Sequence, residues 1–209
     1  MKGPRFLGPR LRDDDRGATI VEFALVVGPM LLLLLGGLEL AYNSYVRSTM
    51  QGALNDAARR AAVEYPVIDA PGSDVGEQVA NLIEATVKHV APYAQVTVDP
   101  QGYSEFSSIR KPEKLLIDKN SNGRFDAADD DCWEDVNRNG RYDSDARLDG
   151  MGGASDVVFY EAKITAPRIL PLHHFLPGVG PMLNYNLKTA VRNQPYRLRE
   201  APPTPCGLD

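Results

Sequence analysis

The feature that most constrains this chain is an apolar run near its start that carries a single charge. Between Ala18 and Leu38 the only charged side chain is Glu22. As a helix with a rise of about 1.5 Å per residue, the run is long enough to cross a hydrocarbon core of about 30 Å. A carboxylate in that layer costs about 2.5 kcal/mol or more. The run therefore predicts a membrane-spanning helix in which Glu22 has a functional role.

The residues before the run predict its orientation. They include the acidic triplet Asp13 to Asp15 and five basic residues: Lys2, Arg5, Arg10, Arg12 and Arg16. The positive-inside bias keeps this end in the cytoplasm and places the rest of the chain across the membrane. A cleaved secretory signal is the alternative, but its apolar region is only about 7–15 residues and ends at a small-residue cleavage site. The present run is longer and has no such site, which disfavours that alternative.

Two stretches carry a family resemblance. They are the segment Arg16-Gly17-Ala18-Thr19-Ile20-Val21-Glu22-Phe23, followed by a Leu-rich run with Pro29, and the segment Asn55-Asp56-Ala57-Ala58-Arg59-Arg60-Ala61-Ala62. This pattern resembles the TadE-like minor pseudopilins of the bacterial tight-adherence (Flp) pilus machinery, which are type IV pilin-like proteins. The resemblance implies that a prepilin peptidase cuts between Gly17 and Ala18. It also implies that Glu22 then pairs with the new amino terminus of a neighbouring subunit.

The same resemblance implies the partners and the location of the chain. The expected partners are the prepilin peptidase, other pilins or pseudopilins, and the Tad secretion machinery. A homo- or hetero-oligomer through the N-terminal helix is a further implication. The expected location is the inner membrane as a single-pass protein, with the carboxy-terminal domain in the periplasm or, within a pilus, outside the cell.

Beyond the membrane segment, the helix continues with a face of apolar and small residues. These recur every three or four positions and are Leu38, Tyr42, Tyr45, Thr49, Ala53, Ala57 and Ala61. Such spacing predicts one packing face. The alanines allow close approach of another backbone, either from the protein's own soluble domain or from a sister helix, and the sequence leaves both open. Pro66 and Pro71-Gly72 end the element.

The remainder of the chain predicts an α+β domain, a helix packed on a small antiparallel sheet. The helix is expected from Asp74 to Val90, with Asp74 and Glu77 as a capping box. The expected strands are 95–98, 114–117, 156–165 and 185–193. The predicted organisation is a leader at 1–17, a span at 18–41, a helix extension at 42–65, a soluble domain at 66–200 and a Pro-rich tail at 201–209.

An acidic tract from Glu113 to Asp149 interrupts the predicted domain and contains two similar loops. The first has oxygen-bearing side chains at positions one, three, five, nine and twelve, and a glycine at six; these are Asp118, Asn120, Asn122, Asp126, Asp129 and Gly123. The second has Asp135, Asn137, Asn139, Gly140 and Asp143 at the equivalent positions. Its twelfth position is Ala146, so Asp145 is the candidate closing ligand. This spacing is typical of calcium loops.

The alternative for these loops is turn chemistry alone, because Asx side chains and glycine also favour tight turns. Two copies with an aromatic residue at position eight and an acid at nine favour calcium. Hard oxygen ligands disfavour zinc and copper. The asparagines lower the charge of each loop, so we expect weak affinity, with Kd about 10⁻⁴–10⁻³ M.

Cys132 and Cys206 are the only cysteines. In an oxidising compartment we expect them to form a disulfide, whereas two free thiols are the alternative.

No catalytic motif is present, so we expect no enzyme, and the sequence pI of about 5.3 disfavours nucleic-acid binding. The favoured function is that of a minor pseudopilin in a tight-adherence pilus. The alternative is a membrane-anchored periplasmic module that binds calcium or mediates adhesion without pilin processing.

Overall fold

The computed structural model describes residues 16–174, 177–198 and 200–207. Most of the predicted leader lies outside these residues. The helices are α1 (Arg16–Ala61) and α2 (Val75–Val90). The strands are β1 (Gln95–Tyr103), β2 (Leu115–Ile117), β3 (Cys132–Trp133), β4 (Arg147–Leu148), β5 (Val157–Pro167) and β6 (Met182–Arg192). Short 3₁₀ turns occur at Phe106–Ser108, Ala127–Asp129 and Leu172–His174. The chain divides into two compact units, residues 1–44 and 45–209.

The first unit is the amino-terminal part of α1. Most of its large apolar side chains, from Ile20 to Leu40, are exposed. The helix continues through Pro29, although proline cannot donate an intrahelical hydrogen bond. Among the described residues, one helix is long and apolar enough to cross a membrane, and it is α1.

In the second unit, α1 buries a face that differs from the predicted one. The buried residues are Val46, Met50, Leu54, Ala57, Ala58 and Ala61, whereas Tyr45 is exposed. The predicted face was thus wrong by one position over its first two turns. The larger apolar side chains of Val46, Met50 and Leu54 remove more apolar surface from water than Tyr45, Thr49 and Ala53 would. The alanines at 57, 58 and 61 pack within their own domain.

The second helix, α2, confirms the predicted cap with one change of partner. Asp74 Oδ1 accepts a hydrogen bond from the Glu77 amide at 2.9 Å. Glu77 Oε2, however, accepts from the amide and the hydroxyl of Ser73, each at 2.7 Å. These two bonds hold the pKa of Glu77 below its usual range. The buried stripe of the helix is Val79, Ile83 and Val87.

The α+β prediction is confirmed by a four-stranded antiparallel sheet in the order β4-β1-β5-β6. Its central strand, β5, is buried from Val157 to Ala162. In register, Gln95 of β1 pairs with Thr165 and Tyr103 pairs with Val157. On the other side of β5, Pro167 pairs with Met182. A second, two-stranded sheet joins β2 to β3.

Candidate functional site

The predicted processing signal lies in the first turns of α1. Gly17 and Glu22 are exposed, and the backbone of Ala18 is helical. A side chain added at Gly17 would meet no atom within 4 Å. The described residues, 16 onward, therefore give no steric reason for glycine at this position.

The first of the two predicted loops is organised by its own Asx side chains. Asp118 accepts hydrogen bonds from the amides of Asn122 and Gly123, at 3.2 and 2.7 Å. Asn120 Oδ1 accepts from the Asn122 amide at 2.9 Å, and Asn122 Oδ1 accepts from the Arg124 amide at 2.7 Å. Gly123 has a φ of 75°, a left-handed conformation that favours glycine.

The second loop repeats this arrangement bond for bond. Asp135 accepts from the amides of Asn139 and Gly140, at 3.2 and 2.9 Å. Asn137 Oδ1 accepts from the Asn139 amide, and Asn139 Oδ1 accepts from the Arg141 amide, at 3.1 and 2.7 Å. Gly140 has a φ of 77°. The sequence repeat is therefore also a repeat of backbone conformation.

Each loop is also held by a buried carboxylate from outside its ligand pattern. Asp131, which is fully buried, accepts from the amides at positions two and nine of the first loop, Lys119 and Asp126, at 2.9 and 3.0 Å. Glu113 does the same in the second loop, accepting from the amides of Val136 and Asp143 at 2.9 and 3.1 Å. Burial raises the pKa of Glu113 despite these two donors, which lower it. Sequence reasoning missed both roles.

The aromatic residues at position eight join the two loops. The rings of Phe125 and Tyr142 stack with their centroids 4.4 Å apart and an interplanar angle of 16°. Trp133, which is fully buried, meets Phe125 edge to face at 4.8 Å. Aromatic pairs of this kind contribute about 0.5–1.5 kcal/mol beyond their buried area. The loops thus form one packed pair, which we call the paired Asx loops (residues 118–129 and 135–146).

The carboxy-terminal segment 201–207, which we call the strap, lies along β3. The amides of Trp133 and Asp135 donate to the carbonyls of Pro205 and Pro203, at 3.2 and 3.0 Å, and the Gly207 amide donates to the Asp131 carbonyl at 3.0 Å. The predicted disulfide is present between Cys132 and Cys206. Proline lacks an amide hydrogen but keeps its carbonyl. The strap therefore pairs with residues 131–135 through two proline carbonyl acceptors and one glycine amide donor.

Calcium requires several oxygen ligands around one point. Among the described residues, no three His, Cys, Asp or Glu side chains lie together as a metal-holding group, so a cation would also need the Asn carbonyl oxygens. In the structure the amide groups of Asn137 and Asn139 both donate to Asp143 Oδ2 at 2.7 Å, and Asn120 donates to Asp129. Asp126 Oδ1 accepts from the Ala128 amide at 3.0 Å.

Asp145, the candidate closing ligand of the second loop, has a different neighbour. The Tyr103 hydroxyl donates to Asp145 Oδ2 at 3.4 Å, and the buried Asp145 Oδ1 has no hydrogen-bond partner among the residues that the structure describes. Burial and the contact with Asp145 raise the pKa of Tyr103. The donor set of each loop fits a hard cation by its chemistry, with Asp118, Asn120, Asn122, Asp126 and Asp129 in the first and Asp135, Asn137, Asn139 and Asp143 in the second.

The fold defines a class of protein, in which an α+β domain follows one long apolar helix near the amino terminus. This is the arrangement of a single-pass membrane-anchored protein. The family model of TadE-like proteins matches residues 17–59, so this segment of the chain is TadE-like. No curated protein and no solved structure matches the chain.

The matched residues begin at Gly17 and include Glu22 and Arg59. They lie within α1 and leave the α+β domain, with its paired Asx loops, outside the match. TadE-like proteins are pilus components and are not known as enzymes. The family therefore associates this chain with the Tad pilus machinery.

Proposed function

We propose that this chain is a minor pseudopilin with a structural role in the assembly of a tight-adherence pilus, processed by a prepilin peptidase. The observation that carries the proposal is the TadE-like match, which begins at Gly17 and contains Glu22 five residues later. In the proposed function, cleavage after Gly17 creates a new amino group at Ala18. Glu22 of one subunit then pairs with that amino group of its neighbour.

The electrostatics of the apolar helix support this role for Glu22. The surrounding side chains Val21 and Phe23 are exposed, so in a bilayer they would face lipid. A single carboxylate in that environment is costly, and pairing with an amino group of opposite charge offsets much of the cost. Pairing would also fix the axial position of one subunit's helix relative to the helix of its neighbour.

The proposed orientation places the α+β domain in the periplasm. The five basic residues before the span favour a cytoplasmic amino terminus. The disulfide between Cys132 and Cys206 is consistent with an oxidising compartment. Both features support export of the domain through the inner membrane.

Two variants test processing and assembly separately. In cells with an active prepilin peptidase, we expect the mature chain to begin at Ala18, and Gly17→Val to leave the precursor uncut, because a branched side chain would obstruct the peptidase at the cut. Glu22→Ala should still insert in the membrane but lose co-purification with other pilins. Mass spectrometry of the membrane-extracted amino terminus and pull-down of the pilins measure the two results.

Gly28→Val is a matched control, since Gly28 is an exposed glycine of the same helix with no atom within 4 Å of an added Cβ. This variant should be cut normally. A mature terminus downstream of Leu38, or an intact Met1 in wild-type cells, would refute processing. Unchanged pilus output and crosslinking in Glu22→Ala cells would refute the assembly role.

We propose calcium as the ligand of the paired Asx loops, a second function that is compatible with the first. The supporting observation is that both loops have the same pattern of Asx bonds and the same left-handed glycine. Without pilin processing, this property would make the chain a membrane-anchored calcium-binding or adhesion module, so the amino-terminal analysis separates the two functions.

Calcium should raise the melting temperature of the detergent-solubilised chain. A site with Kd about 0.1 mM gains roughly 2.7 kcal/mol at a hundredfold excess of ion. Asp118→Ala should remove more of this gain than Asp135→Ala, because only the first loop has an acid at position twelve. Asp149→Asn, an exposed acid outside both loops, should leave the gain unchanged. If calcium leaves the melting temperature of a folded sample unchanged, the loops are turns only.

A further inference from the structure

One end of the second unit combines exposed apolar side chains with the point where the chain enters the unit. The register places Gln95, Thr165 and the Pro167–Met182 pair at the same end of the sheet. Tyr93 precedes β1 by two residues and Ile169 follows β5 by two. Tyr93, Ile169 and Met182 are all exposed. We call this end of the unit the entry end.

The helix α1 reaches the unit at this same end. Gln51 Nε2 donates to the Lys188 carbonyl at 3.2 Å, and the Gln194 amide donates to the Ala62 carbonyl at 2.8 Å. Within the second unit, α1 therefore runs in the direction of β6, and residues 45–50 lie toward Met182. Tyr45, the first residue of the unit, is exposed there.

Tyr45 of the entry end follows the apolar stretch of α1 closely in sequence. Tyr45 follows Leu40, the last exposed leucine of the apolar stretch, by five residues, which is about 7–8 Å of helix. The headgroup layer is roughly 5–8 Å thick on each side of the hydrocarbon core. Tyrosine is enriched at that depth because its ring is apolar and its hydroxyl is polar.

Charge separates the two ends of the unit. The segments that meet at the entry end are 45–51, 86–98 and 162–186, and they contain no Asp or Glu but four Lys or Arg residues: Arg47, Lys88, Lys163 and Arg168. Lys88 is paired with Glu84, one turn earlier in α2, which leaves Arg47, Lys163 and Arg168 as the basic residues that carry the charge argument. The acidic tract 113–149 leaves the sheet at the opposite end, between Tyr103 and Val157, which pair with each other. An anionic surface would therefore attract the entry end and repel the far end.

We propose that the entry end docks on anionic lipid headgroups, through Tyr45, Tyr93, Ile169 and Met182 and the basic residues around them. The docking surface belongs to the second unit alone. It depends on membrane anchoring and not on peptidase processing or pilus assembly. Docking gives the membrane-resident chain a fixed orientation, with the paired Asx loops away from the bilayer.

Tryptophan fluorescence of the full chain in lipid nanodiscs tests the docking. Tyr93→Trp reports the entry end, and Tyr65→Trp is the matched control, because the two tyrosines are 82% and 81% exposed. Tyr65 lies three residues after Ala62, whose carbonyl accepts a hydrogen bond from the Gln194 amide just beyond the end of β6. Tyr65 is therefore at the end of the unit opposite the entry end. The native Trp133 is buried and gives a constant background. Leu33→Trp, within the apolar stretch, reports insertion of the span.

In nanodiscs with anionic lipids brominated near the headgroup, Tyr93→Trp emission should shift to shorter wavelength and be quenched, whereas Tyr65→Trp should be unchanged. Equal, water-like emission from both sites, with Leu33→Trp quenched by lipid brominated deep in the chains, would overturn the docking while leaving anchoring intact. A Leu33→Trp signal without quenching would overturn both. Tyr93→Trp emission could instead shift to shorter wavelength without quenching by brominated lipid, and the shift could grow with the density of protein in the nanodiscs. That result would overturn docking on lipid and show contact with a second copy of the chain.

Charge variants provide an independent arm. Each basic residue near an anionic surface contributes about 1 kcal/mol, so Arg47→Gln and Lys163→Gln should each lower the ratio of docked to undocked chains about fivefold. Arg124→Gln and Arg141→Gln, exposed residues of the acidic tract, should not lower it. Electrostatic docking would be contradicted if both pairs of variants changed the ratio of docked to undocked chains equally. It would also be contradicted if uncharged lipid and high salt left this ratio unchanged for the wild-type chain.

Discussion

Replacing Cys206 with serine should lower the free energy of unfolding by about 4 kcal/mol and release the strap. The bridge closes a loop with a sequence separation of 74 residues, and by chain entropy a loop of that size restricts the unfolded chain by roughly this amount. The strap has three prolines, and three backbone hydrogen bonds join it to residues 131–135. Without the bridge we expect these bonds to open together.

Chemical denaturation and limited proteolysis of the purified chain measure this effect. Cys206 is exposed and Cys132 is buried, so Cys206→Ser tests the bridge with little change in packing. Thr204→Ser, at an exposed position of the strap, is the control and should remain protease-resistant. Labelling of two thiols per chain under denaturing, non-reducing conditions, or dimers linked through Cys132, would show that the intramolecular bridge does not form. We also expect Cys206→Ser to weaken calcium binding, because β3 links the two loops.

Asp131→Ala should destabilise the second unit by about 3–5 kcal/mol. The fully buried carboxylate accepts from two backbone amides, and its removal leaves two donors without an acceptor, each costing about 1–3 kcal/mol. The first loop should lose its order before the sheet does. Hydrogen exchange at the Lys119 and Asp126 amides, together with denaturant unfolding, is the measurement.

Asp130→Asn is a suitable control because Asp130 is exposed and has a φ of 58°, a conformation that asparagine tolerates well. Its effect should be within about 0.5 kcal/mol of zero. Asp131→Asn retains one acceptor oxygen, so its loss of unfolding free energy should lie between those of Asp131→Ala and Asp130→Asn. If Asp131→Ala unfolds at the same denaturant concentration as wild type, the carboxylate has no organising role in the loop.

Local patterns predicted much of this molecule because their partners lie close in sequence. The Asp74 cap involves the amide three residues later, and the Asx bonds of each loop span two to five residues. The apolar run up to Leu38 likewise predicts a membrane span from length and composition alone. The α2 stripe and the approximate positions of β1, β5 and β6 follow from periodicity.

Contacts between distant residues set the features that the patterns missed or placed incorrectly. Strand β1 extends through Pro100 to Tyr103 because β5 offers a continuous antiparallel partner, although proline is disfavoured in strands. The buried face of α1 is displaced from the predicted one because the larger apolar residues pack inside the domain. In both cases burial against a neighbour outweighs local preference.

The sequence by itself determined an apolar helix with one carboxylate, an α+β domain, and two acidic loops with identical local bonding, since each depends on composition or on neighbours within a few residues. Only the tertiary structure decided that Glu113, 22 residues before Asp135, organises the second loop, that Phe125 and Tyr142 stack, and that the strap pairs with β3. These contacts join residues that no local pattern relates, because burial of polar groups requires whichever partner the folded chain brings within hydrogen-bond distance.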